Sequence, residues 1–231
     1  MNSTYEHLIS HPTSKPDLTF LAEFNGTVPV PQSEHLACFD GSNILFGSIL
    51  LDLPTEYRDL ALALADGCHQ TYNQTATKIG PEQFNWTTGD PNDQDPGIPA
   101  NLTAFYDEAG FNIVNPVYIL RPEVMETYYY AYRLTGNPMY QDWAWEAFVA
   151  VNSTCRVQYG FSGIDDVNVV GGGGYDGLQE SFFLAEFLKY TYLIFSDKAS
   201  EGEPWQVRGS GNEWVFNTEA HPVRVVGTPV G

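Results

Sequence analysis

Apolar residues recur along most of this chain at helical spacing. Over residues 55–72 (TEYRDLALALADGCHQTY) they place Tyr57, Leu60, Leu64 and Cys68 on one stripe, which predicts an amphipathic helix with Thr55 as a candidate N-cap. A second helix is expected over 123–134, with Pro122 at the first-turn position that needs no N–H, closed by Gly136 with Pro138 just beyond. A third follows at once over 139–151 (MYQDWAWEAFVAV), and so short a connection makes the two an antiparallel helical hairpin. Residues 178–195 (LQESFFLAEFLKYTYLIF) are apolar almost all round, which predicts a helix buried on more than one side. Residues 74–120 are rich in Asn, Pro, Gly and Thr (NWTTGDPNDQDPGIPANLT) and read as a long surface insertion. The chain closes on a predicted β-hairpin, 213–216 (EWVF) and 221–226 (HPVRVV), around a polar turn. Helical hairpins side by side imply an all-α fold, an α/α solenoid or toroid, and not an α/β sheet.

Charge and composition narrow the partners. With 29 Asp and Glu against 10 Lys and Arg the net charge is −19, which excludes a nucleic-acid partner, since phosphate contacts need clustered cations. So acidic a surface serves solubility, or brings carboxylates together on a metal or a neutral substrate. Aromatic residues make up 14% of the chain and permit a carbohydrate site, where sugar rings lie on aromatic faces. No apolar run approaches the roughly 20 residues that cross a bilayer. The start, MNSTYEHLISHP, has no basic or apolar leader, yet sequons stand at Asn2, Asn25, Asn73, Asn85, Asn101 and Asn152. Together these imply the secretory pathway or secretion, and a chain that continues upstream of Met1. A membrane contact is expected only through such an upstream segment. The three cysteines, Cys38, Cys68 and Cys155, form no CxxC pair, so neither zinc nor thioredoxin-like chemistry is indicated.

Four short segments place polar side chains where the periodicity calls for apolar ones. Glu123 and Glu126 share the first turn of one helix face behind Arg121, where the helix dipole keeps carboxylates ionised. Ordinary N-terminal helix charge meets the same spacing, but Tyr130 and Leu134 continue that face inward, and buried carboxylates require partners. Phe182 and Glu186, four apart, suit the apolar face and the hydroxyls of a sugar; a packed Phe beside a Glu paired with Lys189 fits equally. Thr218, in the turn before Glu219 and His221, offers a carbonyl and a hydroxyl oxygen to a hard cation, or simply closes the turn on itself. His35, in EHLACFDG, is a catalytic or a structural histidine on sequence alone.

In this order, HPTSKPDLTFLAEFNGT, HLACFDGSNILFGSILL, YILRPEVMETYYYAYRLTGNPMYQDWAWEAF, GFSGIDDV, ESFFLAEFLKYTYLIFSD and VFNTEAHPVRV resemble the class I α-1,2-mannosidases, glycoside hydrolase family 47, most closely the fungal secreted type. The resemblance implies an α/α toroid of helix hairpins, here a partial barrel with a carboxy-terminal β-hairpin, and residues 1–231 as the carboxy-terminal part of one catalytic domain. It implies inverting, calcium-dependent hydrolysis of α-1,2-linked mannose from high-mannose N-glycans by a protein that is monomeric at full length. Glu123 matches the catalytic base and Thr218 the direct calcium ligand. His35, Arg121, Glu126, Phe182, Glu186 and Glu219 match positions that line the sugar subsite or hold calcium-bound waters, and Cys38 and Cys68 match a conserved disulfide. Cys155 has no evident partner. In the family the acid-side carboxylates lie upstream of the His35 motif, so residues 1–231 are expected to carry the base and the metal but not the acid. A chain that only binds mannose glycans is the alternative.

Overall fold

The computed structural model describes residues 2–196, 214–216, 219, 221–224 and 226. Its frame is helical, with α1 (Asn2–His7), α2 (Phe39–Leu50), α3 (Thr55–Asn73), α4 (Thr103–Ala109), α5 (Glu123–Thr135), α6 (Met139–Thr154) and α7 (Leu188–Phe195). α2, α5 and α7 lie side by side in one row, while α3 packs behind α2 and α5, and α6 behind α5 and α7. α5 is therefore enclosed, and its residues 123–132 are all buried. Paired helices in two layers are the α/α arrangement that the periodicity calls for.

Helix ends follow local chemistry. α5 stops where Gly136 takes a left-handed φ of 72°, which a side chain would resist. Thr55 turns out to be the first residue of α3 and not its cap: Pro54 precedes it with extended backbone, and no side chain caps that end. On α3, Gly67 lets the Thr19–Phe20 segment approach so closely that a Cβ would stand 2.2 Å from the Thr19 carbonyl oxygen.

Two expectations are corrected. Residues 74–120 are not a bare loop. Gln83–Asn85 joins Gln32–Glu34 and Asn112–Asn115 in a three-stranded antiparallel sheet, and α4 packs beside it. Phe20, Phe84, Trp86, Tyr106 and Phe111 form a second apolar core there. The Pro, Gly and Asn content concealed it, since strands of three and four residues show no readable alternation. The last long helix begins at residue 181, and Phe183–Phe187 form a π turn ahead of α7, with the Leu188 N–H donating to the Phe183 carbonyl. Phe183, Phe187, Tyr190, Leu193 and Ile194 are buried, whereas Leu184, Tyr192 and Phe195 are exposed, so this helix is buried on one side only.

The carboxy-terminal hairpin pairs Trp214–Phe216 with Pro222–Arg224. Asn217 and Thr218 lie outside the described residues. Among the described residues no helix is long and apolar enough to cross a membrane.

Cys38 and Cys68 are bonded, joining the turn before α2 to the carboxy-terminal part of α3, and Cys155 is free and buried. Replacing both bonded cysteines by Ala should lower the unfolding free energy by about 3–4 kcal/mol, the chain-entropy value for a loop of this size. Denaturant unfolding checks this; a loss well under 1 kcal/mol would mean that packing alone holds α2 to α3.

Candidate active site

The site is built at the amino-terminal end of α5. Leu120, fully buried, adopts a left-handed φ of 65°, a strained conformation for a branched side chain, and turns the chain immediately before Arg121 and Pro122. Arg121 then reaches back to Glu82: its Nε donates to both carboxylate oxygens at 3.0 and 2.8 Å and its Nη2 to Oε1 at 2.5 Å. With this bidentate clamp set, Nη1 stands 3.5 Å from Glu123 Oε1.

Glu123 has a second partner. His35 follows the strand Gln32–Glu34, its N–H donates to the Glu82 carbonyl, and its Nδ1 lies 2.7 Å from Glu123 Oε2. The Tyr72 hydroxyl, from the end of α3, lies 2.7 Å from His35 Nε2. A carboxylate can only accept, so Nδ1 carries the proton toward Glu123, and Tyr72 fixes the ring from the other side. Burial raises the pKa of Glu123, but the His35 hydrogen bond and the charges of His35 and Arg121 outweigh it, and the net shift is downward. Glu123 is thus a buried carboxylate held ionised.

One turn on, Glu126 behaves oppositely. It is 4 % exposed, Tyr190 donates to its Oε1 at 2.6 Å, and burial pushes its pKa up to about 7. Glu186 lies in the π turn, equally buried, and is pushed up to about 7 by burial and then by the charge of Glu126. Lys189 is the cation facing this group: Glu126, Glu186 and Glu219 all raise its pKa against a larger lowering by burial. Its Nζ also donates to the Glu219 carbonyl and sits 4.4 Å from the Tyr190 ring centroid. A π turn widens a helix by one residue and recurs at functional sites. Here it separates half-buried Phe182 from buried Glu186.

The structure thus joins His35 to Glu123 by a hydrogen bond and Arg121 to Glu123 by an ion pair, and brings Glu126 and Glu186 into electrostatic range of them. Glu219 is exposed and joins through Lys189, while Thr218 lies outside the described residues. Among the described residues no group of three or more His, Cys, Asp or Glu is arranged to hold a metal. Sequence reasoning missed Glu82, Tyr72 and Tyr190. Glu82 lies in the stretch taken for a loop and gave no signal; Tyr190, four residues after Glu186 on the same helix, was within reach of the periodicity.

Residues 1–225 match the family model described as glycosyl hydrolase family 47. The chain is a member of glycosyl hydrolase family 47. It is 53% identical over 225 residues to a probable mannosyl-oligosaccharide α-1,2-mannosidase 1B of Aspergillus clavatus, and 51% over 227 residues to mannosyl-oligosaccharide α-1,2-mannosidase 1B of Aspergillus phoenicis. Those matches cover 96% and 98% of this chain but 42% of each relative, so the chain spans less than half the length of the curated family 47 proteins it resembles. The solved α-1,2-mannosidase from Trichoderma reesei superposes with a TM-score of 0.91 at 45% identity, covering 97% of this chain and 45% of that one. The helix layers are therefore part of the family 47 α/α barrel.

The raised pKa of Glu126 has a consequence for stability. The folded protein binds a proton that the unfolded chain has released, so this contribution is complete below pH 4.5 and is lost as pH rises through about 7. In metal-free buffer the melting temperature should fall across that window, and Glu126→Gln should make the fall shallower. Identical slopes in the two proteins would contradict the assignment.

Proposed function

We propose that this chain supplies the base-side half of an inverting, calcium-dependent active site that removes α-1,2-linked mannose from high-mannose N-glycans. The observation that carries the reading is Glu123, a buried carboxylate kept ionised by His35 and by Arg121. A base poised in this way accepts a proton from water while the water oxygen bonds to the anomeric carbon. The bond from that carbon to the leaving mannose oxygen breaks, and the oxygen takes its proton from a second carboxyl group roughly 6.5–9.5 Å from the base. In this reading that acid lies outside residues 1–231, and the chain is the carboxy-terminal part of a larger catalytic domain.

The other residues take roles by their chemistry. Phe182 offers an aromatic face to the sugar ring, and Arg121 donates to sugar or carboxylate oxygens while Glu82 keeps it from turning. Calcium in this reading would sit beside Glu126, Glu186 and Glu219, which are not themselves arranged as a metal-holding group among the described residues; the two buried carboxyls are pushed up to about 7, and Lys189 is the cation facing them. Thr218 would bind the ion directly, the carboxylates would hold its waters, and the bound ion would supply a Lewis acid for sugar hydroxyls. The six sequons support a secretory setting.

In the enzyme carrying both parts of the barrel, Glu123→Gln should lower kcat by about 10²–10⁴ with little change in KM, and calcium chelation should abolish activity. Mannose release that survives both treatments would refute the reading. Calcium-dependent mannose binding by residues 1–231 without release would support the binding-only alternative.

A further inference from the structure

A cavity of about 460 Å³ lies between α3 and α6, backed by the Tyr72 that holds His35, with His69, Asn73, Lys78, Trp143, Trp145 and Glu146 also in its wall. Trp143 stacks on His69 with ring centroids 3.8 Å apart and planes 6° apart. Burial, and then the charge of Lys78, push His69 down to about 4, so this stack is neutral at ordinary pH. Trp145 is 54 % exposed, and Glu146 and Lys78 are exposed beside it. Aromatic faces with an acceptor and a donor at the rim suit a neutral, amphipathic ligand such as a sugar.

The wall also contains a site where a sugar can be attached. Asn73 heads the sequon Asn73–Gln74–Thr75 and is exposed at the end of α3. Lys78 Nζ donates to its backbone carbonyl and, at 3.4 Å, to its Oδ1. That leaves Nδ2, the atom that bears an N-glycan, without a protein acceptor among the described residues, in a side chain that lines the cavity. Asn85 contrasts with it, being 8 % exposed in a central strand, with its Oδ1 taken by Asn112.

We propose that Asn73 carries an N-linked glycan whose first N-acetylglucosamine residues lie in this cavity, with ring faces on the exposed Trp145 and polar groups toward Lys78 and Glu146. In the attachment step Nδ2 loses a proton and bonds to the anomeric carbon of an oligosaccharide. The bond from that carbon to a polyprenyl diphosphate carrier breaks, and the carrier leaves as the free diphosphate. The glycan is attached and not consumed, so the inference stands apart from the hydrolytic reading.

The test is glycopeptide mapping of protein secreted by a yeast host, with timed endoglycosidase H digestion under native conditions. Asn73 should be occupied, and its glycan should be released about tenfold more slowly than that of any other occupied sequon, Asn25 included, a difference of ~1.4 kcal/mol. Trp145→Ala should remove the lag at Asn73 alone. Asn73→Gln should raise acrylamide quenching of tryptophan fluorescence, a readout that needs no folding-sensitive change at Trp145. An unmodified Asn73, or a glycan released as fast as the others with quenching unchanged, overturns the proposal. So does binding of a free high-mannose oligosaccharide in the cavity of the Asn73→Gln protein, which would make the cavity a site for unattached glycans.

Discussion

Glu123 is 6 % exposed, sits among tyrosines at the head of an enclosed helix, and must nonetheless stay ionised. Burial alone would protonate it, since a charge without partners in such an interior is costly by several kcal/mol. His35, Arg121 and the amino-terminal dipole of α5 oppose that cost together. Each of these partners is itself fixed: His35 by Tyr72 and by its backbone bond to Glu82, Arg121 by the Glu82 side chain. Leu120 holds the strained turn that aims both Arg121 and α5. Glu82 therefore ties the small sheet to the helix layers, and the second apolar core exists at the place where that tie is made.

The same interior drives Glu126 and Glu186 the other way. Neither has a clamp like that of Glu123, and Lys189, itself partly desolvated, offsets too little of their burial. Carboxyl groups one helical turn apart are thus pushed in opposite directions from the ordinary glutamate range, the separation that lets one group serve as a base while others share protons or oxygen ligands. The π turn carries Glu186 and adds one residue to the turn without breaking the helix that continues into α7.

Much of the frame was legible in the sequence because α3, α5 and α6 carry a 3.6-residue apolar period and clear stops such as Gly136. The residues of the site were legible for a different reason. Glu123 and Glu126 break the apolar pattern of a helix that must be buried, and the family resemblance of RPE and ESFFLAE gave them roles that spacing left open. The Cys38–Cys68 pairing also came from that resemblance, and the structure bears it out. What stayed hidden was non-local. The Arg121–Glu82 clamp joins residues 39 apart across a segment whose strands are too short to show a pattern. The π turn is a one-residue irregularity inside a uniformly apolar run, which periodicity reads straight through.

Neighbours, and not burial alone, set the ionisation of these carboxyls. Carbon-13 NMR titration of side-chain carboxyls in glutamate-labelled protein, with Glu123→Gln and Glu126→Gln used to assign the signals, measures it directly. The expected result is Glu123 titrating below the ordinary glutamate range while Glu126 and Glu186 titrate near 7. If Glu123 titrated together with Glu126 or above it, burial would be the dominant force at the site, and its role as an ionised base would fall.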